Sequence, residues 1–320
     1  MKLRVRSVTY EAMDILSFEL VDPEGRPLPT FEPGAHVDVR TPEGVCRPYS
    51  LCNASQERDC YRVAVLKTRT SRGGSASMHE HVRPGQMLEI GSPRNLFPLR
   101  EGATHYILIA GGIGITPLVT MAERLASEGK SFVLHYCTRS PASTAFGERL
   151  RPLVERGLVH FHHDAGDAAK GLDVEALLRE CLADAHIYFC GPPALMDAIK
   201  VAAAHWPADA VHHESFGAAF GPAASAGSAG AVPAGAQQIV LTRSAREIAI
   251  EPGSTVLQAL RAAGVECTSS CEAGLCGTCM TGYSGGAVEH NDYVLSEHER
   301  ASQMLVCTAR VVAGPVLLDL

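Results

Sequence analysis

The stretch Ser270-Cys271-Glu272-Ala273-Gly274-Leu275-Cys276-Gly277-Thr278-Cys279 sets three cysteines at the spacing C-x4-C-x2-C, and a fourth, Cys307, follows in Met304-Leu305-Val306-Cys307. Four thiolates so spaced suit a 2Fe–2S cluster. They must converge on two irons whose bridging sulfides accept backbone N–H hydrogen bonds, so the chain has to wrap tightly. Gly274 and Gly277 relieve the backbone where it takes angles that a side chain resists. Structural zinc or unligated thiols are the alternatives. Zinc modules pair C-x2–4-C knuckles and do not need the longer loop. Cys267 stands four residues ahead of Cys271 and competes with it, but only Cys271 completes the spacing.

Other properties narrow the function classes. Eleven cysteines in 320 residues are too dilute for a disulfide scaffold. Four of them have a use as metal ligands, which fits a reducing compartment and a cytoplasmic protein. A net charge of −7 argues against nucleic acid as a partner. The start, Met1-Lys2-Leu3-Arg4-Val5-Arg6, alternates like an edge strand and has no apolar region of a signal peptide. The longest apolar run, 106–122, is interrupted by Gly111, Gly112, Gly114, Thr116 and Pro117. It reads as strand, turn and helix, so no membrane span is expected.

The first hundred residues read as six short strands: Lys2–Tyr10, Ile15–Val21, His36–Arg40, Arg47–Cys52, Tyr61–Lys67 and Gln86–Ile90. Proline and glycine pairs separate them, and a small antiparallel barrel follows. Arg47-Pro48-Tyr49-Ser50 lies on one strand. Arg72-Gly73-Gly74-Ser75 precedes a short helix near Met78–Val82, a setting in which backbone N–H groups and the helix dipole attract a phosphate. Arg47 adds a forked donor, Tyr49 can pack on a flat ring, and Ser50 can bond a ring nitrogen. Taken singly, these pieces also read as a solvated arginine, a half-buried tyrosine and a turn.

The pattern then alternates. Strands are expected at His105–Ala110, Phe132–Cys137, Leu158–His163, His186–Cys190 and Val211–Phe216. Helices are expected at Pro117–Ser127, Ser143–Glu155, Asp173–Cys181 and Ala194–His205. Such alternation predicts a doubly wound parallel sheet with its ligand at the carboxyl ends of the strands. Gly111-Gly112-Ile113-Gly114-Ile115-Thr116-Pro117 lies at such an end, with Thr116 suited to a helix N-cap and Pro117 to the first helical position. The glycines admit a pyrophosphate. No acid closes the second strand, where Tyr136-Cys137-Thr138-Arg139-Ser140 stands instead, so a standard dinucleotide dehydrogenase is disfavoured. Arg139 can serve either a ribose or an added phosphate. Cys190-Gly191-Pro192 ends a later strand, where Cys190 is open to reading as a small buried residue. Phe216 is likewise open to reading as core.

Residues 218–236 are mostly Ala, Gly, Ser and Pro and predict a flexible linker with a reach of about 25 Å. Beyond it, Gln238–Leu241 and Glu247–Ile250 alternate as a hairpin. Thr255–Ala263 suits a helix and Gly314–Leu320 a closing strand. Glu266, Glu272, Glu289, Asp292, Glu297 and Glu299 make an acidic run that either attracts a basic partner or is solvated surface.

In combination and in this order, the motifs resemble the ferredoxin–NADP reductase superfamily, and within it the phthalate dioxygenase reductase family. The resemblance runs over essentially the whole chain. It implies a flavin-binding antiparallel six-stranded β-barrel (1–101), closed by Pro93-Arg94-Asn95-Leu96-Phe97-Pro98-Leu99. A doubly wound α/β nicotinamide-nucleotide domain (102–217) and, after the linker, a C-terminal α+β (β-grasp) plant-type 2Fe–2S ferredoxin (237–320) complete it. It also implies FMN rather than FAD, held by Arg47, Tyr49, Ser50, Gly73, Gly74 and Ser75. The dinucleotide, NADH with NADPH possible, is implied at Gly111, Gly112, Gly114, Thr116, Arg139, Cys190, Gly191 and Pro192. Ser50, Cys190 and Phe216 are the implied catalytic residues: Ser50 beside flavin N5, Cys190 beside the nicotinamide, Phe216 shielding the flavin face. Cys271, Cys276, Cys279 and Cys307 are the expected iron ligands. A flavin must stand between a two-electron donor and a one-electron cluster. A plant-type cluster near −400 mV can reduce a Rieske centre at about −150 to +300 mV. The implied partner is therefore a terminal oxygenase of the Rieske type. A haem monooxygenase acceptor, a flavin reductase with a structural metal tail and a redox-sensor module are the rivals.

Overall fold

The computed structural model describes residues 1–68, 73–216 and 237–320, apart from Pro252, Ser270, Ala273, Leu275, Cys276, Tyr293 and Val294. Arg72, the expected linker at 218–236 and the expected ligand Cys276 therefore lie outside the described residues. The chain divides into two compact units, Met1–Phe216 and Gly217–Leu320. No helix among the described residues is long and apolar enough to cross a membrane.

The first unit begins with a six-stranded antiparallel sheet. Its strands are β1 (Lys2–Ala12), β2 (Ile15–Val21), β3 (His36–Arg40), β4 (Cys46–Ser50), β5 (Tyr61–Leu66) and β6 (Met87–Ile90), in the order β4-β3-β6-β1-β2-β5. Helix α1 (Gly74–His81) lies between β5 and β6. Alternation with period two sends Leu3 and Val5 inward from β1, where they meet Phe18, Leu20, Val37, Val39, Val63 and Met78. Each such fully buried side chain contributes about 1.5–3 kcal/mol. β4 stops at Ser50 rather than Cys52. Past that point the chain crosses to the far edge strand, pairing Leu51 with Val63 and bonding Cys52 N–H to the Arg62 carbonyl at 2.8 Å. That crossing closes the sheet into a barrel.

The rest of the unit is a parallel sheet of β7 (His105–Gly111), β8 (Phe132–Thr138), β9 (Val159–His163), β10 (Ala185–Cys190) and β11 (Val211–Glu214), ordered β11-β10-β7-β8-β9. Helices α2 (Ile115–Ser127) and α3 (Gly147–Glu155) pack on one face, and α4 (Val174–Leu178) and α5 (Pro193–Ala202) on the other. Helix α3 starts later than the periodicity predicts. Ser140 and Ser143 close a separate capped turn, and Phe146 enters the left-handed region at φ 60° before the helix begins. Barrel residues Ala12, Ile15, Cys52, Ala64 and Phe97 belong to the same apolar cluster as α2 and α3, which is why barrel and sheet form one unit. Arg149 of α3 reinforces the seam. It pairs with Glu123 at 2.6 Å and donates to the Cys52 carbonyl of the barrel.

The second unit has β12 (Gln238–Leu241), β13 (Arg246–Ala249), α6 (Val256–Ala262), β14 (Met280–Ser284), β15 (Ala287–Glu289), α7 (Glu297–Arg300), β16 (Gln303–Leu305), β17 (Arg310–Ala313) and β18 (Pro315–Leu318). Its main sheet runs β13-β12-β18-β14-β16, with β12 and β18 parallel, and β15 pairs with β17. Val256, Leu257 and Leu260 of α6 bury against Ile239, Leu305, Val306, Val316 and Leu318. One helix laid across a mixed sheet is the expected β-grasp pattern.

Candidate functional site

In the parallel sheet, β7 sits between β10 and β8, so successive connections leave in opposite directions at the β7–β10 boundary. A crevice opens there beyond the carboxyl ends of the strands. Gly111 ends β7 and Cys190 ends β10. The glycines let the two ends touch. A Cβ on Gly111 would lie 2.6 Å from Pro192 Cδ, and one on Gly114 only 2.2 Å from the Cys190 carbonyl oxygen. Gly112 takes φ 51° with open space around it. The segment Gly112–Gly114 forms a tight turn that winds straight into α2. The N-cap expectation for Thr116 is thereby corrected. Gly114 caps the helix, and Thr116 and Pro117 stand second and third within it. Because the turn is already helical at Gly114, no extended residue is left to act as a side-chain cap. The Thr116 hydroxyl is buried and donates to the Ile113 carbonyl at 3.1 Å.

A barrel strand ends at the same place. Ser50, the last residue of β4, is 3 % exposed, and its hydroxyl bonds Glu214 Oε2 at 3.4 Å. Glu214 ends β11 in register with Cys190. Serine, acid and thiol, from three strands of two sheets, thus form one junction. Burial pushes the Cys190 thiol well up, and the nearby Glu214 carboxylate adds to this. Burial likewise pushes Glu214 up to about 8, with the Ser50 hydrogen bond opposing it. Near neutral pH, Glu214 is a protonated acid able to donate. Phe216, two residues on, is partly buried against the core shared by barrel and sheet.

Glu214 escapes a sequence reading because a single acid in Glu-Ser-Phe carries no spacing signal. Its place at the carboxyl end of a parallel strand, like that of Gly111 and Cys190, is the cue that marks it. A stability prediction follows from its shift. The ordinary value is 4.5 and the folded one about 8. Between these, the folded protein holds a proton that the unfolded chain has lost, so folding stability falls as pH rises through this window. Urea unfolding at pH 5.5 and 8.5 is expected to show this loss in the wild type, on the order of 3 kcal/mol. Glu214→Gln should lack that component. Equal pH slopes in the two proteins would contradict the shift.

The phosphate-site residues gather where α1 begins. Gly73 precedes the helix at φ 87° and offers no side-chain cap. A Cβ on Gly74 would meet Arg47 Cγ at 2.7 Å, so the arginine side chain lies directly against the first residue of α1. Arg47 donates to the Cys46 carbonyl at 2.7 Å, and Ser75 Oγ bonds the Thr68 hydroxyl at 3.1 Å. A guanidinium beside a helix N-terminus suits a phosphate group. Tyr49, one residue before Ser50, packs on the barrel core, and burial raises its phenol. Arg139 is exposed just past β8 and accepts an N–H bond from Ala165 at 3.0 Å on its carbonyl. It follows directly on β8, the strand beside β7, at the carboxyl end where the crevice opens.

In the second unit, Cys271, Cys279 and Cys307 are each buried to 7 % exposure or less. The β14–β16 ladder pairs Met280 with Leu305, and the Val306 N–H to Cys279 carbonyl bond at 3.3 Å extends it by one step. Cys279 and Cys307 therefore share one end of that strand pair. Gly274 and Gly277 have φ 71° and 69°. A Cβ on Gly274 would come within 2.9 Å of the Asn291 carbonyl oxygen. Three buried thiols around a glycine-relieved loop fit an iron–sulfur group. Cys267 packs partly buried against the core, and burial raises its thiol. The acidic run does not form a single free face. Glu272 pairs with Arg261, Asp292 is buried against Arg300 at 3.4 Å, and Glu299 caps its own helix with Ser296.

Known proteins agree with these parts. The family described as "2Fe-2S iron-sulfur cluster binding domain" matches residues 239–312, and "Oxidoreductase NAD-binding domain" matches residues 108–201. Phthalate dioxygenase reductase of Burkholderia cepacia is 42 % identical over 321 residues, which are 100 % of this chain and 97 % of that protein. The reductase subunit of tert-butanol monooxygenase / tert-amyl alcohol desaturase of Aquincola tertiaricarbonis is 43 % identical over 325 residues, covering 100 % and 96 %. A solved phthalate dioxygenase reductase superposes with a TM-score of 0.79 at 42 % identity, over 100 % of this chain and 98 % of that one. An intact type IV self-sufficient cytochrome P450 monooxygenase superposes with a TM-score of 0.81 at 36 % identity, over 100 % of this chain and 41 % of that one.

Proposed function

The chain belongs to the phthalate dioxygenase reductase family, and on that premise we propose that it is the NADH-dependent reductase component of a multicomponent oxygenase or demethylase, with a Rieske-type terminal oxygenase as its acceptor. Relatives bearing the names of dioxygenase and O-demethylase reductases support this reading. Within the chain, the junction of Ser50, Cys190 and Glu214 carries it. A barrel strand made to hold a flavin ring ends against the crevice made to hold a nicotinamide.

FMN supplies the step from a two-electron donor to a one-electron acceptor, and a 2Fe–2S group passes single electrons on. The protein's part is to hold and orient. Arg47 and the start of α1, with Gly73, Gly74 and Ser75, bind the flavin phosphate. Tyr49 would pack on the ring, and Ser50 would hydrogen-bond it. Gly111, Gly112 and Gly114 let the dinucleotide pyrophosphate approach the start of α2. Arg139 meets the ribose or an added 2′-phosphate. Cys190, Gly191 and Pro192 would line the nicotinamide site, and Phe216 would shield the flavin. Glu214 accepts the Ser50 hydroxyl and, when protonated, does so without placing a charge in the crevice. Cys271, Cys276, Cys279 and Cys307 hold the irons. Such thiolates persist in the reducing cytoplasm.

Purified protein should contain iron and inorganic sulfide and absorb between about 400 and 550 nm beyond its flavin bands. It should reduce ferricyanide and cytochrome c with NADH. Zinc in place of iron, with no sulfide, would leave a flavin reductase with a structural metal tail. The likeness to a self-sufficient P450 keeps a haem acceptor as the second reading. Reconstitution with purified Rieske and haem oxygenases separates the two: coupled turnover with the haem enzyme alone would overturn the first.

A further inference from the structure

We propose that the ion pair of Arg261 and Glu272 is a latch that keeps the start of the cysteine loop in the shape an iron–sulfur group needs. Both are then positioning residues for that group. The proposal rests on the reading of Cys271, Cys276, Cys279 and Cys307 as its ligands. Glu272 follows directly on Cys271 and has φ 52°, a left-handed conformation that crowds any Cβ. Arg261 Nη2 donates to Glu272 Oε1 at 2.7 Å and to Ser269 Oγ at 2.8 Å, and the Ser269 hydroxyl donates to Glu272 Oε1 at 3.4 Å. The side chain of the strained residue is therefore held from two directions.

Arg261 stands in the last turn of α6. The first turn of the same helix grips the segment of the fourth ligand: Leu257 N–H bonds the Val306 carbonyl at 2.8 Å and Val256 N–H the Ala309 carbonyl at 3.0 Å. These two bonds bracket Cys307. One short helix thus ties the neighbour of Cys271 to the neighbours of Cys307, so its length sets their separation. The grip on Cys307 is made by backbone and survives side-chain substitution, whereas the latch on Glu272 does not.

The pair is also neutral as a whole. A cluster on four thiolates is anionic and gains further negative charge when it accepts an electron. Removing Arg261 takes a positive charge from beside it, and removing Glu272 takes a negative one.

The test uses the full chain loaded with iron and sulfide, and reads iron release to a chelator and the midpoint potential. Arg261→Ala and Glu272→Ala leave residue 272 left-handed and unlatched. Their release is expected to rise about tenfold, the scale on which outer-shell partners alter metal affinity. Glu272→Gly also lacks the latch, but glycine occupies the left-handed region freely, so release should stay within about twofold of wild type. Arg261→Ala should lower the potential, and both Glu272 variants should raise it. A threefold change in the reduced-to-oxidised ratio is expected in each, about 30 mV at 59 mV per tenfold for one electron. Wild-type release from both alanine variants would overturn the proposal. So would equal release from Glu272→Gly and Glu272→Ala, or potential shifts of one sign. If Arg261→Ala does not fold, the two Glu272 variants, which differ by one methyl group, decide the matter. Wild-type protein without iron or sulfide would overturn the cluster reading itself.

Discussion

Cys307→Ser is expected to cut NADH-dependent reduction of cytochrome c or an oxygenase by about 100-fold or more, since even outer-shell partners of a metal change its affinity by 10–100-fold. Ferricyanide reduction should stay within about twofold, because a flavin can pass electrons to that acceptor directly. The structural ground for the split is the division of the chain. Cys307 belongs to the core of the second unit, while the junction of Ser50, Cys190 and Glu214 lies wholly in the first. A serine hydroxyl keeps the volume but is a poor thiolate substitute toward iron, and α6 anchors the backbone on either side of it. Stopped-flow assays of the two acceptors, with flavin content checked, measure the ratio. An equal fall of both activities in folded, flavin-loaded protein would break the serial order of carriers.

Gly114→Ala is the second large effect. The new methyl would stand 2.2 Å from the Cys190 carbonyl oxygen and 2.8 Å from the Gly191 nitrogen. Both are backbone atoms, so a rotamer change cannot make room. Either Gly112–Gly114 lifts away from β10 or Cys190–Gly191 retreats, and each movement opens the crevice at its floor. Overpacking of this kind costs about 1–3 kcal/mol of stability. Misplacement of a binding loop by about 1 Å costs on the order of 100-fold in turnover with a bound substrate. The expected result is a kcat/KM for NADH reduced by about that factor. Gly112→Ala supplies the comparison. It meets nothing within 4 Å but must adopt φ 51°, so only strain of about 1–2 kcal/mol opposes it. Its kcat/KM should fall far less. If the two variants behaved alike, contact with Cys190 would not be what the third glycine is for.

Much of the site was legible in order along the chain. The cysteine spacing, the Gly-Gly-x-Gly turn and the Cys-Gly-Pro turn are local patterns whose residue types are forced by backbone conformation or by ligand chemistry. Strands β7 and β10 were readable because both faces are buried and each reads as an apolar run. Other features were not readable. Thr116 looked like a helix cap because propensity speaks for an isolated helix start. In the folded chain the preceding turn is already helical, and the cap falls on Gly114. The acidic run around the cysteine loop looked like one charged face. Asp292 is instead turned into the interior against Arg300, eight residues along the chain, a pairing with no sequence signature.

What the sequence determined by itself is the set of chemical parts and the order in which they come: barrel, doubly wound sheet, cysteine loop. Those follow from spacing and periodicity, which act over a few residues. Only the tertiary structure decided which parts meet. Ser50 and Glu214 stand 164 residues apart and share a hydrogen bond. Cys190 lies in register with Glu214, and α6 joins the two ends of the cysteine set. Such meetings arise from burial of surfaces that no local pattern describes. Burial itself creates the raised pKa of Glu214, a property that residue lacks in the open chain.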